Sequence, residues 1–197
     1  MRIYLSFLIL LFMSKGFAQN DKEWELYKTR KEIEVFKRKT DEGFDAVRIK
    51  ATIHSTMPTF LHVINDADNY TDWVYGCSES KLLLFEGDTV EYSTLTDMPF
   101  PVWDRYLEVT STQEIKDGIW VAESTVREGA PEIKGVVNID YFLSKWVVRD
   151  KGNKVLIDYE VSTEPGGSIP AWLYNLAVSR GPLKTMQSLK EVLEHRN

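Results

Sequence analysis

Few residues in this chain stand in a spacing that supports chemistry. The three histidines, His54, His62 and His195, and the single cysteine, Cys77, are scattered, and none falls in a metal-ligand spacing. No Ser-His-acid order, nucleophile elbow, HExxH or phosphate loop is present. Carboxylate pairs such as Glu32 with Glu34 and Asp158 with Glu160 alternate onto the polar faces of their strands, where solvation is expected. One residue stands apart. In the run Val102 to Thr112, Trp103, Arg105, Leu107 and Val109 share the apolar face, opposite Asp104, Tyr106, Glu108 and Thr110. Arg105 is therefore expected to point inward. A buried guanidinium is unfavourable unless paired, and it also suits the polar head of a ligand. The sequence leaves open a structural ion pair with Glu91, Asp97 or Glu123, an arginine reaching solvent at the strand's edge, or a ligand contact.

What the sequence does supply is apolar lining. Trp73, Tyr92, Trp120, Phe142, Trp146 and Trp172, with Thr94, Thr96 and Ser144 interleaved on strands, have the composition of a small-ligand cavity. Core packing explains any one of them, but as a set they are read as partly lining a pocket. Trp103, beside Arg105 on the apolar face, and Leu176, on the closing helix, complete the ligand-binding candidates. No catalytic residue, metal site or cofactor is assigned.

These candidates need elements to hold them. The last stretch, Gly166 to Asn197, organises the rest. Ser168 is a good N-cap and Pro170 suits a first helical turn. Beyond them Trp172, Leu173, Leu176, Leu183, Met186, Leu189 and Leu193 recur at three- and four-residue steps, the mark of a helix with one long apolar stripe. A bend is expected at Gly181-Pro182. Upstream, Asp21 to Thr29 reads as a short helix, and Lys31 to Lys39 with Phe44 to Ile53 as a hairpin. Ser55 to Ile64 and Asp66 to Tyr75 read as two short helices. Runs at 81–85, 89–97, 102–112, 119–127, 136–149 and 154–163 then return to the two-residue period of strands, with turn residues between most of them. Strands grouped ahead of one long helix give an α+β domain with a curved antiparallel sheet under that helix.

Two loops attract notice. Met98-Pro99-Phe100-Pro101 is apolar and uncharged, which fits either a gate or membrane-touching tip, or a corner turned inward. Glu128 to Lys134 is a second lid candidate.

Composition sets the context. Residues 1–18, with Arg2 ahead of the apolar run Ile3 to Met13 and small residues near Ala18, read as a secretory signal peptide. Residues 19–197 then form one domain, exported to the periplasm or the outside medium. The chain carries a net charge of −6 and no basic cluster, which argues against nucleic acid. One cysteine excludes an internal disulfide.

Several stretches resemble the START (steroidogenic-acute-regulatory-related lipid transfer) family. They are Asn69-Tyr70-Thr71-Asp72-Trp73, Met98-Pro99-Phe100-Pro101-Val102-Trp103-Asp104-Arg105 and Lys134-Gly135-Val136-Val137. The most specific is Pro165-Gly166-Gly167-Ser168-Ile169-Pro170-Ala171-Trp172-Leu173, followed by Asn175, Gly181-Pro182 and Met186. The resemblance spans the mature chain. The family often has an acidic residue right after its motif arginine, where this chain has Tyr106, so the partner of Arg105 stays open. The resemblance implies a helix-grip fold whose sheet–helix cavity holds a sterol, phospholipid, sphingolipid or other hydrophobic compound, without chemistry in most members.

Three readings follow. The first is a monomeric carrier of a lipid or sterol-like molecule, with transient membrane contact. Enclosing a roughly sixteen-carbon chain removes about 12 kcal/mol of unfavourable hydration. The second is a polyketide cyclase/aromatase-like enzyme using Arg105 with Tyr106, Tyr92 or Asp140. The third is an interaction domain with a filled core. The first is favoured.

Overall fold

The computed structural model describes residues 23–167, 169–170, 172, 174–175, 178 and 180–196. Strands β1 (Glu25–Arg30), β2 (Ile33–Lys39) and β3 (Asp45–Ile53) come first. Helix α1 (Met57–Ile64) and a 3-10 helix (Ala67–Asp72) follow. Then come β4 (Cys77–Glu86), β5 (Thr89–Thr96), β6 (Arg105–Lys116), β7 (Ile119–Val126), β8 (Val137–Asn138), β9 (Phe142–Asp150), β10 (Val155–Thr163) and helix α2 (Arg180–His195). One sheet holds the strands in the order β1-β2-β3-β10-β9-β7-β6-β5-β4, antiparallel throughout, and β8 pairs parallel with β6.

Alternation on the strands decides which side α2 covers. Val47, Ile49 and Ile53 of β3 and Ile33 and Val35 of β2 turn inward and are fully buried. Leu183, Met186, Leu189 and Leu193 of α2, spaced three and four apart, join them in the same core cluster. Burying side chains of this size stabilises by about 1.5–3 kcal/mol each. Helix α1 adds Phe60, Val63 and Ile64 to that core; its Thr56 cap accepts from the Thr59 N–H at 3.3 Å, and Pro58 fills the first turn.

The remaining half of the concave face is different. There the small side chains of Thr94, Ser111, Ala122, Ser124 and Ser144 stand between the large ones of Tyr92, Trp120, Phe142, Trp146 and Tyr159. Space is left between them and the segment leading into α2. The fold thus has a packed end and an open end.

Three expectations are corrected. The N-terminal helix is strand β1, because Lys31 and Glu32 adopt left-handed backbone (φ 47° and 59°) and turn the chain straight back onto β2. The three-residue spacing of Trp24 and Tyr27 is used across strands: Arg38 lies over the Trp24 ring at 4.6 Å and Lys37 over Tyr27 at 4.2 Å. The strand expected at 136–149 is broken in two, since Val137–Asn138 pairs with β6 and β9 begins only at Phe142. Gly181-Pro182 lies in the first turn of α2, so the break from the helical residues Trp172, Tyr174 and Asn175 falls just ahead of it, at the turn of Val178. Ahead of it, Tyr174 N bonds to Pro170 O at 3.2 Å and Val178 N to Tyr174 O at 2.9 Å, in helical steps. The signal peptide and Leu176 fall outside the described residues.

Candidate ligand cavity

The open end holds a cavity of about 720 Å³, partly open to solvent, between the concave sheet face and the approach to α2. Six sequence candidates come together on its wall: Trp73, Tyr92, Thr94, Trp120, Phe142 and Trp146. Thr96 and Ser144 line it as well. Adjacent strands bring them there through register, with Trp146 beside Ala122 and Tyr159, and Ser124 between Ser111 and Ser144. The aromatics brace one another. Trp146 and Tyr159 pack at 4.1 Å between ring centres, Phe60 meets Trp120 edge-on at 5.4 Å, and Tyr70 meets Tyr92 edge-on at 5.1 Å.

Several polar groups on this wall are satisfied locally. Tyr70 donates to Ile64 O at 2.6 Å, Trp120 Nε1 to Gln113 Oε1 at 2.9 Å, and Ser124 to Ser111 at 2.9 Å. Burial pushes the Tyr70, Tyr92, Tyr159 and Tyr174 phenols well above their usual range, so all remain protonated.

Arg105 is buried, as its alternation requires, but it stands off the cavity wall. Its guanidinium donates to backbone carbonyls: Nε to Pro165 O at 2.7 Å, Nη2 to Gly166 O at 3.4 Å, and Nη1 to Trp103 O. Burial lowers its pKa, and Asp104 nearby works the other way. The carboxylates of Glu91, Asp97 and Glu123 are not what it bonds. Glu91 pairs instead with Arg127 at 2.7 Å, and Glu123 with Lys145 at 2.6 Å. Arg105 therefore ties the start of β6 to the turn that launches the closing helix.

Trp103 and Trp172 also lie away from the cavity, with 65% and 66% of their surface exposed. Trp103 precedes β6, which starts at Arg105, so the strand's alternation does not reach it. Tyr106 hydrogen-bonds Glu108 at 2.5 Å and is likewise off the cavity, which separates it from Tyr92. Asp158 and Glu160, expected to be solvated, share Arg48 at 2.6 Å and 3.3 Å.

The site residues missed by sequence reasoning are Tyr70, Tyr159 and Tyr174. Tyr159 was legible, since it alternates with Ile157 and Val161 on the inward face of β10. Tyr174 stands four residues after Pro170, a helical step, and lines the cavity from the α2 side.

The mouth is bordered by Tyr75 and Gly76 before β4, by Met98 and Pro99 after β5, and by Pro182 and Thr185 of α2. Phe100 next to it is 97% exposed, so the apolar loop is turned outward, not into a packed corner. The segment 128–134 does not border the cavity; Asn138 holds it to β8 through Pro131 O at 2.8 Å. A wider cleft of about 1000 Å³ crosses the opposite face of the sheet, but it is open and lined by charged groups such as Lys145 and Glu123, already paired with each other.

No family profile matches the chain. It is 32% identical over 206 residues to an uncharacterized protein of Pseudomonas aeruginosa, covering all of both chains. It is 28% identical over 174 residues to the phosphatidylcholine transfer protein of Bos taurus, covering 80% of this chain and 78% of the bovine one. Among solved structures it superposes on the STAR-related lipid transfer protein of Xanthomonas axonopodis with a TM-score of 0.81 at 25% identity, covering 87% of this chain and 98% of that one. With the helix-grip architecture, the internal cavity and these relatives in agreement, the chain belongs to the START family of StAR-related lipid transfer domains.

Proposed function

We propose that this protein binds a hydrophobic small molecule, a lipid or sterol-like compound, in the cavity beneath the approach to α2 and transfers it between membranes. The observation that carries the reading is the 720 Å³ space walled by Trp73, Tyr92, Trp120, Phe142 and Trp146 in a domain that otherwise packs tightly. An apolar hollow of that size, open to solvent on one side, suits a hydrophobic guest that displaces water from its wall. The lipid-transfer relatives support the same reading.

The exposed Phe100, next to Met98 and Pro99 of the cavity rim, gives the mouth an apolar tip for transient contact with a bilayer. The protein works as a monomer, exported by its N-terminal leader, in the periplasm or outside the cell. Arg105 and Tyr106, which the cyclase reading would use, are both committed to contacts outside the cavity, and of its other candidates Tyr92 alone lines it.

The test is transfer of a fluorescent sterol or phospholipid between donor and acceptor vesicles by the purified protein. Transfer is expected to rise in proportion to protein and to fall sharply in Phe100→Asp. Vesicle-to-vesicle movement unaffected by the protein contradicts the reading.

A further inference from the structure

The sheet ends in two edge strands, β1 and β4. An edge strand offers backbone N–H and C=O groups to any extended chain that can lie beside it. Strand β1 mixes the charges of Glu25, Lys28 and Arg30 with its apolar residues, and its register shifts between Leu26 and Lys28. Both features deter pairing.

Strand β4 is different. It ends in Lys81-Leu82-Leu83-Leu84-Phe85-Glu86, four apolar residues in a row with one charge at each end. Leu83, Leu84 and Phe85 are 38%, 38% and 52% exposed, and the strand's sheet neighbour is β5 on one side. Such a run on an edge is a template for a like strand. It also matches itself. In an antiparallel pair about a twofold axis between Leu83 and Leu84, Leu83 faces Leu84, Leu82 faces Phe85, and Lys81 faces Glu86 at both ends. The charges agree, and only apolar pairs lie between them.

One residue of the same chain already occupies that edge. Asp68, in the 3-10 helix, accepts from Leu82 N at 2.8 Å through its carboxylate, and its own carbonyl accepts from Ser80 Oγ at 3.3 Å. The Leu82 N–H that a second strand would need is thus taken. A strand laid there would also strip water from the Asp68 carboxylate, which is unfavourable. The register shift between Leu82 and Leu84 twists the edge and adds to the barrier.

We propose that the edge of β4 is a self-complementary surface for a second copy of this chain, and that Asp68 keeps it closed. A monomer then follows from one hydrogen bond placed on a sheet edge.

The experiment measures the mass of the purified protein by light scattering after size exclusion, over a range of concentrations. The unchanged protein is expected to stay a monomer. Asp68→Ala is expected to associate at least about tenfold more tightly and to form dimers, whereas Asp68→Asn keeps an oxygen acceptor for the Leu82 N–H and stays monomeric. Adding Glu86→Lys to Asp68→Ala sets like charges at both ends and is expected to restore the monomer. Adding Lys81→Glu as well exchanges the pair and is expected to bring the dimer back. Asp68→Ala that stays monomeric, or that associates no more than Asp68→Asn, overturns the proposal. So does association that ignores both charge substitutions, the mark of unspecific aggregation. Hydrogen exchange at the Leu82 amide of the unchanged protein reads the same contact without a substitution. Protection is expected there, and exchange as fast as an exposed amide overturns the proposal even if Asp68→Ala does not fold.

Discussion

Arg105 Nε donates a 2.7 Å hydrogen bond to the carbonyl of Pro165, 60 residues further along the chain. That bond joins the first residue of β6 to the turn ahead of the closing helix, and Gly166 accepts a second one from the same guanidinium. The roof of the cavity is therefore anchored to the sheet by a buried cation with several backbone acceptors. Removing the side chain strands those carbonyls. Arg105→Ala is expected to lower the unfolding free energy by about 2–4 kcal/mol, measured by urea denaturation. A loss under about 0.5 kcal/mol would show that the anchor is dispensable.

A second anchor is Asn175. Its Oδ1 accepts from Asp45 N at 2.8 Å, its Nδ2 donates to Gly43 O at 3.0 Å, and its own carbonyl accepts from Lys37 Nζ at 3.1 Å. The side chain holds the approach to α2 against the β2–β3 turn. Asn175→Ala is expected to destabilise by about 1–3 kcal/mol and to speed hydrogen exchange at the Asp45 amide selectively. Uniform exchange across the sheet, or none, would count against a local latch.

The pH response follows from Glu91. Its hydrogen bond from Arg127 holds its carboxyl below the usual range, and Thr110 donates to it as well. A carboxylate whose folded pKa is depressed stabilises the fold above its unfolded value. That contribution is lost as pH falls below about 4.3 and through the lower folded value. Thermal melts between pH 6 and pH 3 are expected to fall less steeply for Glu91→Gln than for the unchanged protein. Parallel slopes would refute the linkage.

Much of this architecture could be read from the chain alone. The two-residue alternation of β3 and β10 and the three- and four-residue steps of Leu183, Met186, Leu189 and Leu193 are strong signals, because one face of each is turned into the core. Strand β1 was not legible, since every residue in it is exposed and only the left-handed Lys31-Glu32 turn makes it a strand. The cavity's aromatics on strands were found by alternation. Trp103 lies ahead of β6, whose alternation does not extend to it, whereas Trp172 is helical but stands on an exposed face. That Arg105 would bond carbonyls was beyond the sequence, because its acceptors come from a distant turn whose path only the fold sets.

The cavity itself can be closed by substitution. Ala122 lines it between Trp146 and Gln113 in the sheet register. Ala122→Phe is expected to occupy part of the space with new apolar contacts, so the melting temperature holds or rises while lipid uptake drops at least tenfold. A large fall in stability would mean the wall is already packed.

The most direct measurement is native mass spectrometry of the protein recovered after incubation with lipid vesicles, compared with the Ala122→Phe variant. One lipid per chain, released on denaturation and missing from the filled variant, is the predicted result. A protein that emerges empty, or a filled variant that carries the same lipid, contradicts a ligand held within the sheet and helix.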